Sequence, residues 1–342
     1  MRSSIFSSRT PTKGHISLLL GLLAVFCVSV EAITAHYFGR ISRIEHRRES
    51  EYLTAMKMQP ALDRGHVAML VAGNSLLLEG VDFPQLQEHI GQGIELRRTV
   101  FENTSFLDWY YGLRKLFRAG ARPDSVVLVM SPSQLTSDAT NGDYSVQMLV
   151  DHRDLLQFSK DIRADRNKIS VLALDNFSYF FGTRAEIRSW ILGKILPDLQ
   201  TLTRIFRPRA NGPEESSIQQ VAAERIGQLR DLCSNYGVGL ILVIPPANED
   251  GGATQVLQAA ASAGVPASEP ISPGLLLASD FADAIHLNSQ GSAKFTPALA
   301  ESLKQIVRER TGNHSQTAIA TPARTTVGVF ANGVPTYEHF QQ

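Results

Sequence analysis

Three near-continuous apolar runs limit the folds open to this chain: Val67–Ala72, Ser125–Met130 and Val238–Ile244. Each stops at turn-forming residues. Gly73-Asn74-Ser75 ends the first, Ser131-Pro132-Ser133-Gln134 the second and Pro245-Pro246 the third. A strand that is apolar at every position buries both of its faces, as in a parallel sheet covered by helices on either side. Ile94–Phe101 reads as a further strand with alternating Arg and apolar positions. Helical patterns fall between the strands: Phe83–Ile90, Ser105–Phe117, Ser217–Tyr236, Thr254–Ala263 and, last, Asn288–Arg308. Val265-Pro266 begins a short extended piece. This alternation is the rhythm of an α/β fold. In Ser105–Phe117 the side chains Phe106, Trp109, Tyr110, Leu113 and Leu116 recur at helical spacing, which reads as core packing.

The rhythm breaks once. Asp143–Arg207 reads as mainly helical, which predicts a helical insertion over about residues 138–212, with apolar clusters at Tyr179-Phe180-Phe181 and Trp190-Ile191-Leu192. After Thr311 the chain is rich in Thr, Ala, Gly and Pro without sustained periodicity, so residues 311–342 are expected to be disordered.

Two short stretches carry chemistry. A hydroxyl at Ser75 follows a core strand, which puts it at the carboxyl edge of the sheet, where α/β folds place their ligands. Far downstream, Asp283 and His286 stand three residues apart in Asp280-Phe-Ala-Asp-Ala-Ile-His-Leu-Asn-Ser-Gln-Gly291. One turn at that spacing brings a carboxylate to the imidazole Nδ1 and leaves Nε2 free to take a proton from a serine. Asn288 and Ser289 are N-cap candidates for the last helix. Read separately, Gly73-Asn74-Ser75 is an ordinary turn and His286 a surface or capping residue. The specificity lies in the pair.

Composition excludes several classes. The 342 residues carry 33 basic and 33 acidic side chains, so no net field recruits nucleic acid. The sequence has no phosphate-binding glycine loop, dinucleotide fingerprint, metal-ligand spacing or internal repeat. No cofactor or metal is therefore expected. Cys27 lies in an apolar run and Cys233 in a helical pattern, and no disulfide is expected between them.

The N-terminus points to a membrane. Residues 1–14 form a basic leader with Arg2, Arg9 and Lys13, followed by an almost wholly apolar run from Ile16 to Val30. As a secretory signal, it has small residues near a cleavage point after Ala35. As a signal anchor, residues 15–38 are long enough to cross a hydrocarbon core of about 30 Å. Glu31 would then lie near the outer interface. Arg40, Arg43, Arg47 and Arg48 outnumber the preceding basic residues, so a strict charge count gives the inverted topology. The basic leader directly before the apolar run favours an inside N-terminus and a single-pass protein of the cytoplasmic membrane, its main domain outside. Residues 39–65 read as a helical stalk with a solvated charged face, with Arg47 and Glu51 four apart.

Gly73-Asn74-Ser75 on the first strand and Asp283-x-x-His286 before the last helix resemble the first and last sequence blocks of the SGNH (GDSL-type) hydrolase superfamily. The resemblance covers about residues 66–135 and 215–309 of a domain placed at 66–310. It implies a flavodoxin-like three-layer α/β/α sandwich. It makes Ser75 the nucleophile and an oxyanion donor through its backbone N–H, His286 the general base and Asp283 its orienting partner. Val243-Ile-Pro-Pro246 resembles the end of the family's penultimate strand. The middle blocks depart from the pattern. The family's Gly after the second strand falls near Glu102-Asn103-Thr104, and its Gly-x-Asn-Asp after the third near Met130-Ser-Pro-Ser-Gln134. Backbone N–H groups at Asn103 or Thr104 and side chains at Ser133 or Gln134 are the substitute oxyanion donors. Losing one such donor typically costs about a hundredfold in rate.

Together with the anchor, the resemblance implies a membrane-tethered bacterial ester hydrolase or O-acyltransferase. Its substrate would be an acylated carbohydrate or other ester, in the setting of surface-polysaccharide synthesis. The other reading is a catalytically idle scaffold of the same fold. The aromatics Phe177, Tyr179, Phe180 and Phe181 either cover the site or pack as core.

Overall fold

The apolar runs pair into one parallel sheet in the computed structural model, which describes residues 13–61, 65–140, 143–196, 215–247, 251–272 and 274–319. An apolar helix, α1 (Lys13–Ile33), comes first and continues through a π-helical turn at Thr34–Phe38 to Ile41. It leads into α2 (Arg43–Met56). The sheet then alternates with helices: β1 (Val67–Gly73), α3 (Ser75–Gly80), α4 (Phe83–Ile90), β2 (Ile94–Val100), α5 (Phe106–Arg118) and β3 (Ser125–Val129). Beyond the short helix Pro132–Thr136 come α6 (Asp143–Leu149), α7 (Leu155–Asp161), α8 (Arg166–Phe177) and α9 (Tyr179–Ile195). The chain returns with α10 (Glu215–Ser234), β4 (Gly239–Val243), α11 (Ala253–Ser262), β5 (Ala267–Ser268) and α12 (Ser289–Ile319).

The strand order is β2-β1-β3-β4-β5, with every pairing parallel. Period-two alternation sends side chains to two cores. Leu70, Val126, Leu128, Leu240 and Leu242 face α5, α10 and α11, whereas Met69, Val71, Val127, Val129, Ile241 and Val243 face α3, α4 and α12. This is a flavodoxin-like three-layer α/β/α sandwich. Each fully buried Leu or Phe contributes about 1.5–3 kcal/mol of transfer free energy. Trp109, Leu113 and Leu116 of α5 are completely buried, as their spacing predicts. The order reverses between β1 and β3, so the crevice above their carboxyl ends is a topological switch point.

The apolar helix Gly14–Ile41 spans 28 residues with a mean hydropathy of 2.4 over its best window. At 1.5 Å per residue its length is roughly 42 Å, enough to cross a bilayer. Cys27 and Cys233 are both free.

Two expectations need correction. The charged helix α2 is not a solvated stalk; it lies against β2. Glu51 accepts hydrogen bonds from Arg98 at 2.7 Å and from the Val100 N–H at 2.9 Å. Arg47 and Arg48 clasp Glu102 at 2.6 and 2.8 Å, and Ala55 is buried in the core. The charges face partners some fifty residues away in sequence, which local periodicity cannot reveal. The expected disordered tail also begins too early. The α12 backbone stays helical through Ile319, with Pro297 inside it; the remainder of that tail, like the leader at residues 1–12, lies outside the described residues.

The Glu51 carboxylate, mostly buried, takes both the Arg98 guanidinium and the Val100 N–H, so its removal costs two bonds and leaves the Arg98 charge without that partner. Glu51→Ala is expected to lower stability by about 3 kcal/mol in denaturant titrations. A loss no larger than that of an exposed ion pair, about 0.5 kcal/mol, would return α2 to a free stalk.

Candidate active site

The exit of β1 is built for one backbone path. A Cβ at Gly73 would stand 2.8 Å from the Val129 carbonyl oxygen and 3.1 Å from Leu77 Cβ, so a side chain there forces β1 off β3 or α3 off the sheet. Asn74, fully buried, caps α3 by accepting the Leu76 N–H at 3.0 Å. Its amide donates to the Thr104 carbonyl at 2.9 Å and so ties the loop after β1 to the loop after β2. Ser75 is the next residue, held at the first position of α3 and half-buried.

His286 arrives on a loop from the other end of the sequence. The loop starts at a one-turn helix, Ala278–Asp280, and closes on itself through an antiparallel bridge between Phe281 and Leu287. The Ala282 N–H donates to the His286 carbonyl at 2.8 Å, and the Asn288 N–H to the Asp280 carbonyl at 2.9 Å. Leu287 anchors the loop in the core beneath α12. Asn288 caps α12 by accepting the Gln290 and Gly291 N–H groups. Its amide holds the Ser279 carbonyl at 2.6 Å.

These two structures meet. His286 Nε2 lies 2.9 Å from Ser75 Oγ, across a separation of 211 residues. His286 Nδ1 lies 2.8 Å from one oxygen of Asp283 and 3.0 Å from the other. One Asp283 oxygen also accepts the backbone N–H groups of Ile285 and His286, which fixes its direction. Burial pushes the Asp283 carboxyl up, but these two N–H groups and the imidazole outweigh it and hold it below its usual value. A hydroxyl on one imidazole nitrogen and a carboxylate on the other can pass the serine proton to Nε2 while the carboxylate stabilises the imidazolium.

Asp280, one turn away, is spent elsewhere. It is buried against Lys294 at 2.7 Å and accepts the Leu277 N–H. Lys294, and then that N–H, keep it ionised below the usual range. It braces the loop and does not touch the imidazole.

The register that sets Gly73 level with Val100 and Val129 places the loops after β2 and β3 on either side of Ser75. The substitute oxyanion candidates lie in those loops, and their side chains are not equally available. The Thr104 hydroxyl donates to the Phe101 carbonyl at 2.6 Å and accepts the Trp109 indole N–H at 2.9 Å, so it is used inside the fold. Asn103 takes a left-handed φ of 59°, which turns the backbone at this point. Gln134 gives its side-chain carbonyl to the Ser131 N–H in a capping box, which leaves the amide NH2 as its remaining donor. Ser133 is exposed beside it, within 3.1 Å of the Ser131 hydroxyl. Sequence reasoning missed the strut from Asn74 to Thr104, because its acceptor is a backbone carbonyl. Among the described residues no group of three or more His, Cys, Asp or Glu side chains is arranged to hold a metal ion.

Of the insertion's aromatics, Tyr144 and Phe158 are buried in the core, whereas Phe177 and Phe181 do not serve as core. Phe177 is 72% exposed and Phe181 41%. Tyr179 points its hydroxyl at Glu45, 3.3 Å away.

Two predictions test the loop. A Cβ at Gly291 would collide with the Asp280 carbonyl, so Gly291→Ala is expected to cost about 1–3 kcal/mol and to pull His286 off Ser75. A crystal structure of the variant with the 2.9 Å contact intact would contradict this. The depressed value of Asp283 means that its contribution is complete above the ordinary aspartate value of about 3.9 and fades as pH falls through the lower folded value. Carboxyl carbon NMR should find Asp283 titrating below that ordinary value, and His286→Ala should move it upward.

No family model matches this chain, and no curated protein matches it. Among solved structures it is similar to an alpha/beta hydrolase enzyme from the metagenome of Lake Arreo, Spain, with 11% identity and a TM-score of 0.37, covering 69% of this chain and 94% of that one. It is also similar to the YxiM protein of Bacillus subtilis, with 12% identity and a TM-score of 0.35, covering 70% of this chain and 56% of that one. At these values neither neighbour lends the chain a function.

Proposed function

We propose that this chain is a membrane-anchored serine ester hydrolase or O-acyltransferase of the SGNH type, acting on acyl groups of a cell-surface polysaccharide. The observation that carries the reading is the contact of Ser75 with His286, whose far nitrogen is held by Asp283. In this reading Ser75 Oγ attacks an ester carbonyl as its proton passes to His286 Nε2. The tetrahedral oxyanion is met by the Ser75 backbone N–H, with Asn103 or Thr104 backbone and Ser133 or Gln134 side chains as further donors. His286 then returns the proton to the departing alcohol, leaving an acyl-serine. Water or a sugar hydroxyl, deprotonated by His286, takes the acyl group and frees Ser75. Hydrolysis and transfer share every one of these residues and differ only in the acceptor.

The helix Gly14–Ile41 is read as a retained signal anchor that holds the domain on the outer face of the cytoplasmic membrane. Surface polysaccharide and its synthesis machinery are the substrates and partners within reach there. A second reading, a catalytically idle scaffold of that machinery, is favoured by one observation: the Thr104 hydroxyl is committed to the fold, and the side-chain donors that remain, Ser133 and Gln134, sit within a helix cap.

Labelling with a fluorophosphonate separates the two. The enzyme reading expects an adduct on Ser75 of the folded chain; no Ser75-dependent adduct would leave the scaffold. With an acetyl ester as substrate, Ser75→Ala and His286→Ala are each expected to cost about a millionfold in kcat, and Asp283→Ala about ten thousandfold or less. Mass spectrometry of surface glycans with active and Ser75→Ala protein distinguishes loss of acetyl groups from gain.

A further inference from the structure

Glu31 is an acidic residue within the apolar helix Gly14–Ile41, where an unpaired carboxylate is costly. It is not unpaired. Its oxygens accept the Ser178 hydroxyl at 2.6 Å and the N–H groups of Tyr179 and Phe180 at 2.5 and 3.2 Å. The carboxylate thus fastens the corner between α8 and α9 to one level of the apolar helix. That level is set by length. From Gly14 to Glu31 the helix rises roughly 26 Å, close to the far boundary of a hydrocarbon core about 30 Å thick.

The side chains around this corner are apolar and uncovered. Val171, Leu174 and Phe177 recur at three-residue spacing on α8, exposed to 40%, 49% and 72%, and Phe181 opens α9. Exposed basic residues accompany them: Arg166 and Lys168 on α8, Arg188 on α9. An apolar stripe with aromatics at its end and cations beside it suits the boundary between headgroups and acyl chains. Water is a poor solvent for such a stripe, and contiguous exposed apolar surface of this kind marks an interaction site.

We infer that the corner formed by α8 and α9 docks into the outer headgroup–acyl boundary of the membrane that Gly14–Ile41 spans, with Val171, Leu174, Phe177 and Phe181 in contact with lipid. The inference rests on the anchor reading of that helix. The occupant is lipid, because Glu31 holds the corner beside the helix at the depth where the bilayer surface lies. The chain is then fixed to the membrane at two places, and two attachments restrict its rotation about the anchor where one does not.

The test uses the full chain in lipid nanodiscs with an environment-sensitive thiol fluorophore and phosphatidylcholine bearing a shallow doxyl quencher. Native Cys27, exposed on the apolar helix, reports on the anchor. Cys233 is buried, and burial pushes its thiol up to about 12, so it stays unlabelled at neutral pH. In a Cys27→Ser background, Phe177→Cys reports on the corner and Gln258→Cys, on exposed surface of α11, serves as the aqueous control. The expected result is blue-shifted emission and severalfold stronger quenching at 177 than at 258. If Phe177→Cys fails to fold by circular dichroism, Leu174→Cys on the same stripe replaces it. Quenching at Cys27 with water-like emission at the corner would overturn the inference while keeping the anchor, and would leave the stripe to a protein partner. Emission from water at Cys27 itself would overturn both.

Discussion

The turn leaving β1 is the constraint on which the site depends. It joins a buried strand to a helix within two residues, and it has room for hydrogen only at Gly73, because the Val129 carbonyl and Leu77 close on that position from both sides. Asn74 then satisfies the turn: its side chain caps α3 and reaches the loop after β2. A buried amide that makes both bonds is stabilising, whereas one left unpaired costs about 1–3 kcal/mol. Any side chain that breaks this arrangement therefore moves Ser75 and the Asn103-Thr104 loop together. The hydroxyl and its neighbouring loop are thus joined at the end of β1, an inner strand of the sheet.

The second half of the site is held differently. The loop carrying Asp283 and His286 has only one buried apolar anchor of its own, Leu287, and relies on polar closure: Asp280 on Lys294, Asn288 on Ser279, and main-chain bonds at Ala282 and Asn288. Asp283 is half exposed, so its hold on the imidazole comes from direction more than from low dielectric. Short bonds from the Ile285 and His286 N–H groups supply that direction. The two carboxylates of the loop divide the work, Asp280 fixing its path and Asp283 meeting the ring.

Much of this was legible in the residues, for identifiable reasons. Strands buried on both faces must be apolar throughout, so β1, β3 and β4 stand out in any reading of the sequence. The Asp283-x-x-His286 spacing is local, and one turn of chain suffices to bring the two together. What stayed hidden depends on partners remote in sequence. Charges at Arg47, Arg48 and Glu51 have the same periodicity whether they face water or the carboxylates and guanidinium of β2 and its loop, so α2 reads as a stalk. The Thr104 hydroxyl is lost to the fold through Trp109, a residue that periodicity assigns simply to core. Glu31 reads as a residue at the interface reaching for water, because its partners at residues 178–180 lie almost 150 positions away.

The docking of α2 changes what the apolar helix can do. A solvated stalk would transmit nothing to the sheet. As built, the chain leaves that helix and within ten residues enters a set of partly buried ion pairs, Arg47 and Arg48 on Glu102, at the residue preceding Asn103. Burial raises the pKa of the Glu102 carboxyl, but Arg48 and Arg47 outweigh it and keep it charged. One turn before Arg48 on the same helix, Glu45 takes the Tyr144 hydroxyl at 2.9 Å, which ties α2 to α6 of the insertion. Glu31 ties the apolar helix to α9. The insertion, α2 and the loop after β2 therefore share one polar frame, and that frame reaches the turn at Ser75 from Asn74 to the Thr104 carbonyl and from the Phe101 N–H to the Gly73 carbonyl. The apolar helix is thus joined to the turn at Ser75 by a continuous path of hydrogen bonds and partly buried ion pairs.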